Sequence, residues 1–315
     1  MATTLECFRD DHPNEPLIAY RIYLGFFLIL FTVISFILNL MLLIIVTRTS
    51  ILDRLFSFHV ISFIASSIVY LFANSLALIP TVVGSLYLKD PWNYILSTGD
   101  NLGYLALMFT TTNVAVDRFL LFFLPQIQRY MATRTIVYAC FAYIPWFFSI
   151  LITVHMAGEG CLTRTNPYTL TFTYGCSTCK FYGPVLNHFG FIFPTINFIL
   201  YVFIYIQIIA VRLRLDGVVK SDKWQRRRKD IILVFQFSLI CALQFASSAL
   251  FYILPPLLPG NDLAYHFPMI ISTMNTMTNP VAMLLFQPRL RKAYTSLITK
   301  FSVAPSVAQI SVVPL

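Results

Sequence analysis

Charge is scarce in this sequence. Asp, Glu, Lys and Arg together make up 11% of its 315 residues, where a soluble domain carries about a quarter, so an ordinary water-soluble fold is excluded. Internal repeats and low-complexity tracts are missing, which removes solenoids and compositionally biased linkers. No short apolar segment precedes the first long one, so no cleaved signal peptide is expected and that first segment should act as an uncleaved anchor. Asn-x-Ser/Thr acceptor sites are absent throughout. Of five histidines, His59, His155, His188 and His266 are scattered along the chain. No His/Asp metal cluster or nucleophile pair of an intramembrane enzyme is therefore written at helical spacing. No metal, no cofactor and no enzymatic activity are expected.

What the chain does have is apolar length. Hydrophobic residues make up 58% of it, and runs long enough to cross about 30 Å of hydrocarbon fall at about 22–47, 55–83, 97–124, 135–156, 185–211, 231–255 and 264–286. The expected fold is an all-α membrane protein, a seven-transmembrane helix bundle. Span two is long enough that it should tilt, kink or end early near Pro80. Residues 1–21 form a tail on one side and residues 287–315 a tail on the other. Assigning alternate loops places seventeen of the 22 Lys and Arg on the side of the carboxyl terminus and five on the other. The positive-inside rule then puts the amino terminus outside and the carboxyl terminus inside. Because the basic residues are confined to loops flanking the membrane, anionic lipid headgroups account for them and no nucleic acid is implied. The outer tail is too short to fold into a ligand-binding module, so any ligand is small and held within the bundle or its loops.

The chain is organised around residues 97 to 125. This stretch opens polar with Ser97-Thr98-Gly99-Asp100, runs apolar, and then sets Asp117-Arg118-Phe119 where the helix leaves the bilayer. Asp100 and Arg118 are eighteen residues apart, five helical turns, so they share one face roughly 27 Å apart along the axis. Ionisable groups in a span face a bundle interior or a wet cavity, which makes this helix central.

Asp117-Arg118-Phe119, with Pro125 seven residues after the arginine, resembles the Asp-Arg-aromatic motif closing the third helix of rhodopsin-like G-protein-coupled receptors. The resemblance extends over most of the chain. Asn39 in span one matches the asparagine that ties neighbouring helices together. Phe193-Pro194, followed by Tyr201 and Tyr205, resembles the kinked fifth helix. Asn279-Pro280-Val281-Ala282-Met283 resembles the Asn-Pro-x-x-Tyr motif with methionine in place of tyrosine. The run Arg289-Leu290-Arg291-Lys292-Ala293-Tyr294 then fits a short amphipathic eighth helix. The resemblance implies that Asp117, Arg118, Phe119, Pro125, Asn279 and Pro280 serve activation and coupling to a heterotrimeric G protein. It further implies a small extracellular ligand, structural roles for Asn39 and Pro194, and residence in the plasma or a ciliary membrane.

Departures from the pattern are as informative. Span two has no aspartate, which puts sodium regulation in doubt. Asn93 stands about where a cysteine usually starts a disulfide to the second outer loop. Cys241-Ala242-Leu243-Gln244-Phe245 occupies the middle of span six, where the family has tryptophan and proline. Span seven has no lysine, so no retinal Schiff base is possible. With 30 phenylalanines, the texture resembles the nematode serpentine chemosensory receptors, class X or a neighbouring class.

Asp100 admits two readings. It is a carboxylate on the inward face where amine-binding relatives hold a cationic ligand, or an acid favoured in a helix's first turn by capping and the dipole. The sequence by itself leans to the second. Four cysteines, Cys7, Cys161, Cys176 and Cys179, lie on the outer side and allow three pairings. The favoured arrangement joins Cys7 to the outer loop and closes one more bridge within it. The close pair Cys176 and Cys179 alternatively reads as half of a metal site. Residues 157–184 should form a stapled lid. Asp230, at the end of the basic run Arg226-Arg227-Arg228-Lys229, is expected to pair with Arg118 when the inner cavity is closed. A chemosensory receptor is the leading function. A small-solute transporter is the alternative, and it would need embedded charges or paired broken helices.

Overall fold

Hydrocarbon offers no partner to an unpaired N–H or C=O, so each apolar run satisfies its backbone within a helix. The structure, a computed structural model, describes residues 4–12, 16–49, 51–52, 54–179, 181–215, 222–257 and 263–303. After a short tail helix α1 (Thr4–Asp11), span one is α2 (Ile18–Arg48). Span two comprises α3 (Arg54–Ala73), a π-helical turn over Asn74–Leu78, and α4 (Ile79–Gly84). That turn explains how span two survives Pro80. The proline ring clashes with the carbonyl four residues back and leaves it unpaired, and a π-turn over that carbonyl absorbs the mismatch. Span three is α5 (Trp92–Phe123), followed by α6 (Pro125–Thr133), and span four is α7 (Thr135–Gly158). Spans five to seven are α8 (Tyr182–Leu215), α9 (Asp222–Leu257) and α10 (Leu263–Phe286), and α11 (Pro288–Val303) follows. Five of these helices are long and apolar enough to cross a membrane by length and composition alone.

Among the described residues the fold departs from an all-α expectation at one place. Between α7 and α8, β1 (Arg164–Asn166) pairs antiparallel with β2 (Thr171–Thr173), with Thr165 opposite Phe172. The Cys7 sulfur is bonded to Cys176 and that of Cys161 to Cys179. These pairs tie α1 to the loop and close a second bridge inside it, which selects one of the three arrangements left open. They also end the metal reading of Cys176 and Cys179. Cys7, Asp11 and Cys176 do cluster, but the two sulfurs are bonded to each other and supply no thiolate.

The helix α5 is central, and its tightest neighbour is α3. Gly99 and Gly103, one turn apart, face that helix. A Cβ on Gly103 would lie 2.7 Å from the Tyr70 nitrogen and 2.9 Å from the Ser66 carbonyl oxygen. Two backbones thus touch directly, the small-residue packing that bundles in lipid rely on.

Polar side chains stitch the remaining helices to this pair. Asn39, fully buried, donates through Nδ2 to the Ser35 and Thr276 carbonyls at 2.8 and 3.1 Å, joining α2 to α10. Trp146 Nε1 donates to Ser62 Oγ at 3.0 Å, and Ser62 meets Thr110 Oγ1 at 3.0 Å, so one hydroxyl links α3, α5 and α7. His59 is buried at 3.1 Å from the Tyr138 hydroxyl. At the far end Leu290 and Tyr294 of α11 are buried while Arg291 and Lys292 are exposed, and Tyr294 donates to the Leu38 carbonyl at 3.0 Å. That is the amphipathic eighth helix, sixteen residues long.

Candidate functional site

Three features are built around α5: a cavity near its start, a small polar gap at mid-depth, and a buried arginine at its end. The start lies where the disulfides gather. Asp100 is nine residues into α5, which begins at Trp92 behind Pro91. The first-turn capping reading of Asp100 is therefore overturned, because the residues from Asn93 to Gly99 ahead of it are already helix. Asp100 instead lines a cavity of about 360 Å³, within the size range of small-molecule sites.

The walls of that cavity come from five directions. Tyr70 enters from α3, Tyr104 from α5 and Leu186 from α8, while Ser248 and Ser272 enter from α9 and α10. The hairpin residues Phe172 and Tyr174 form its roof, with His12 of the tail at its edge. No lysine or arginine lines it among the described residues. Three tyrosines surround the carboxylate, and each commits its hydroxyl elsewhere. Tyr70 donates to Ser272 Oγ at 3.0 Å, Tyr104 meets Ser248 Oγ at 3.0 Å, and Tyr174 donates to Asn101 Oδ1 at 3.1 Å. Burial and then the nearby Asp100 charge push the Tyr174 phenol above its ordinary pKa, so it stays neutral. Asp100 has no hydrogen-bond or ion-pair partner among the described residues. Asp100 thus presents a carboxylate without a counter-charge to this cavity, a state that is costly to bury unless something pairs with it.

At mid-depth a gap of about 10 Å³ lies between Ser67, Thr111, Gln244, Asn275 and Asn279. Asn279 is buried with both amide atoms unpartnered among the described residues. Pro280 follows inside α10, and Met283, in the tyrosine position, is fully buried. Pro194 lies within α8, and Tyr201 beyond it is buried.

At the other end of α5, Arg118 is 7% exposed, so its side chain does not face lipid. Its guanidinium lies 5.0 Å from the centre of the Phe56 ring, a cation–π contact. Its Nε is 3.8 Å from Asp117 Oδ2 and has no hydrogen bond. The Nε–H is thus one donor of this buried guanidinium that makes no hydrogen bond. Phe119 stacks on Phe123 at 4.5 Å, and Pro125 opens α6 at its first position, where a proline's missing N–H costs nothing. Asp230 lies in α9, but its side chain is outside the described residues, as is the pairing expected of it.

Sequence reasoning missed Tyr70, Tyr104 and Tyr174 as cavity walls. Their spacing relative to Asp100 gives a partial signal, since Tyr104 is one turn further along the same helix face.

These features describe a helical bundle with a cavity at one end of its central helix and a buried arginine at the other, and a known structure shares that fold. Squid rhodopsin superposes with a TM-score of 0.70 over 92% of this chain and 89% of its own, at 15% identity, so the two share a fold. No curated protein matches the sequence. The sequence pattern of the serpentine type 7TM GPCR chemoreceptor Srx family matches residues 29–287, and the chain belongs to that family. It is a multi-pass membrane protein, a seven-helix chemosensory G-protein-coupled receptor. Neither likeness favours the transporter alternative.

Proposed function

We propose that this receptor binds a small organic cation in the cavity beside Asp100 and passes that binding to a heterotrimeric G protein at Arg118. The amino terminus and disulfides face the exterior and the basic loops face the cytoplasm of a plasma or ciliary membrane. The observation that carries the ligand assignment is the Asp100 carboxylate, without a partner and in a cavity with no lysine or arginine among the described residues. A cation that enters supplies the missing charge and competes with no resident one. Its binding shifts a two-state equilibrium by its differential affinity for the two forms. In the favoured form α9 moves away from the end of α5, the Asp117–Arg118 contact opens, and the α-subunit tail of the G protein docks between them. Asn279 and Pro280 give α10 the bend and the free amide that accompany the change.

The test is a titration of receptor in lipid nanodiscs with alkyl- and arylalkylammonium probes, followed by binding calorimetry. Asp100→Asn keeps the side-chain shape and removes the charge. It is expected to weaken binding of the tightest probe about 100-fold or more, the usual effect of breaking a buried charge pair. Equal affinity for wild type and variant would remove Asp100 from the site.

A further inference from the structure

We infer that Asn93 is a side-chain anchor that holds the roof of the ligand cavity in register without a covalent bond and independently of the two disulfides. Asn93 is the second residue of α5 and is fully buried. Its Oδ1 accepts from the Thr165 backbone N–H at 2.9 Å and from the Thr165 hydroxyl at 3.1 Å, while its Nδ2 donates to the Thr165 carbonyl at 3.3 Å. One amide plane therefore meets both the donor and the acceptor of a single backbone residue. Among side chains of this length, only an asparagine offers both in one plane.

The consequence reaches the cavity through the ladder. Thr165 pairs across the hairpin with Phe172, and the residues beside Phe172, Thr171 and Thr173, line the same cavity. A slip of one residue would turn every side chain of β2 to the opposite face. With strands of only three residues, the hairpin's own hydrogen bonds are too few to hold register. Two further contacts converge on the same strand. Thr81 Oγ1 donates to Thr165 Oγ1 at 3.1 Å, and Arg164 pairs with Asp90 at 3.1 Å. The disulfides act elsewhere, on Cys161 and on the segment after β2, and neither reaches β1 or β2 directly. The roof thus has two fixings of different chemistry: covalent and reducible at its trailing end, amide and redox-inert at β1. Asn93 touches no part of the cavity, so its role is that of a positioning residue. The ligand half of this inference rests on the cavity reading above, and the anchoring half does not.

Hydrogen exchange across residues 163–173, read by mass spectrometry on ligand-free receptor in nanodiscs, tests the anchor directly. Asn93→Asp exchanges the amide donor for a carboxylate oxygen facing the Thr165 carbonyl. It is expected to speed exchange of these amides about tenfold or more while both disulfides stay intact. Mild reduction of the wild type should leave the same amides protected while loosening the tail and residues 174–179. The Asn93→Cys, Thr165→Cys pair should restore protection when oxidised and lose it on reduction. For the tightest ammonium probe, Asn93→Asp should raise the half-maximal concentration about tenfold with the maximal G-protein response unchanged. That split separates positioning from general loss of fold. Unchanged exchange in Asn93→Asp, or loss of wild-type protection on reduction alone, would overturn the anchor. Faster exchange with an unaltered probe affinity would overturn its role in recognition. A wild type that bound no ammonium probe would count against the cavity reading, and the exchange arm would still decide the anchor.

Discussion

Arg118→Ala is expected to bring receptor-driven nucleotide exchange down to the level of membranes without receptor, a loss of about 100-fold or more. Probe binding at the other end of the bundle should persist. The reasoning starts from what holds the guanidinium in place. It is buried, it rests on Phe56 by its face, and its nearest carboxylate is the adjoining Asp117 at 3.8 Å. That contact is too long for a hydrogen bond, so the group's Nε–H donor is unspent. Unspent donors in a buried, charged group are costly to maintain for structure alone. They become favourable once backbone carbonyls of a docked helix end accept from them, since hydrogen bonds to a charged group are worth roughly 1.5–3 kcal/mol each. Alanine removes all of them. It also strands the buried Asp117, so Asp117→Asn with Arg118→Ala serves as the control that deletes docking without leaving a lone carboxylate. Arg118→Lys should recover little, because a point ammonium lacks the planar fork. Exchange assays with purified heterotrimer read the result, and retention of agonist-driven exchange in both variants would remove Arg118 from the coupling surface.

The second large effect is on folding. Gly103→Leu should abolish surface receptor, and Gly103→Ala should remove most of it, measured by cell-surface labelling. The Cβ of alanine alone meets backbone atoms of α3 at 2.7 and 2.9 Å, and backbone cannot rotate away as a side-chain tip can. The helices must separate instead. Separation would stretch the Ser62–Thr110 bond and shift Tyr70 and Tyr104, both cavity walls. Overpacking in soluble cores costs about 1–3 kcal/mol, and here the strained atoms are main chain. By contrast Gly158→Ala, whose Cβ would meet nothing within 4 Å, should express as wild type.

Much of this architecture was legible because the bilayer allows few solutions. Seven apolar runs had to become helices, and the structure places helices over all seven, with ends shifted by a few residues except at α9, which starts nine residues earlier at Asp222. Asp117-Arg118 could be placed because motif and span end nearly coincide, and Asn279-Pro280 because the motif falls within the last apolar run. The start of α5 could not. The expected span opened at Ser97, yet the helix starts at Trp92, and Asn93, noted only for standing where a cysteine is usual, finds its partner 72 residues away. No local pattern reports a partner at that distance. The hairpin was equally hidden, since strands of three residues are too short to show alternation. The choice among disulfide pairings also depended on where α1 lay. Asp100 was the consequential case: the same carboxylate reads as a cap in one dimension and as a cavity wall in three.

The central claim is that the cavity beside Asp100 and the arginine end of α5 are two ends of one equilibrium. The most direct measurement is the affinity of the tightest ammonium probe for receptor in nanodiscs, with and without nucleotide-free heterotrimer. Coupling between sites is reciprocal, so a ligand that promotes docking must itself be held more tightly when the G protein is docked. The account predicts a gain of about 5- to 150-fold in affinity, abolished in Arg118→Ala. An affinity that is the same with and without the heterotrimer would contradict it.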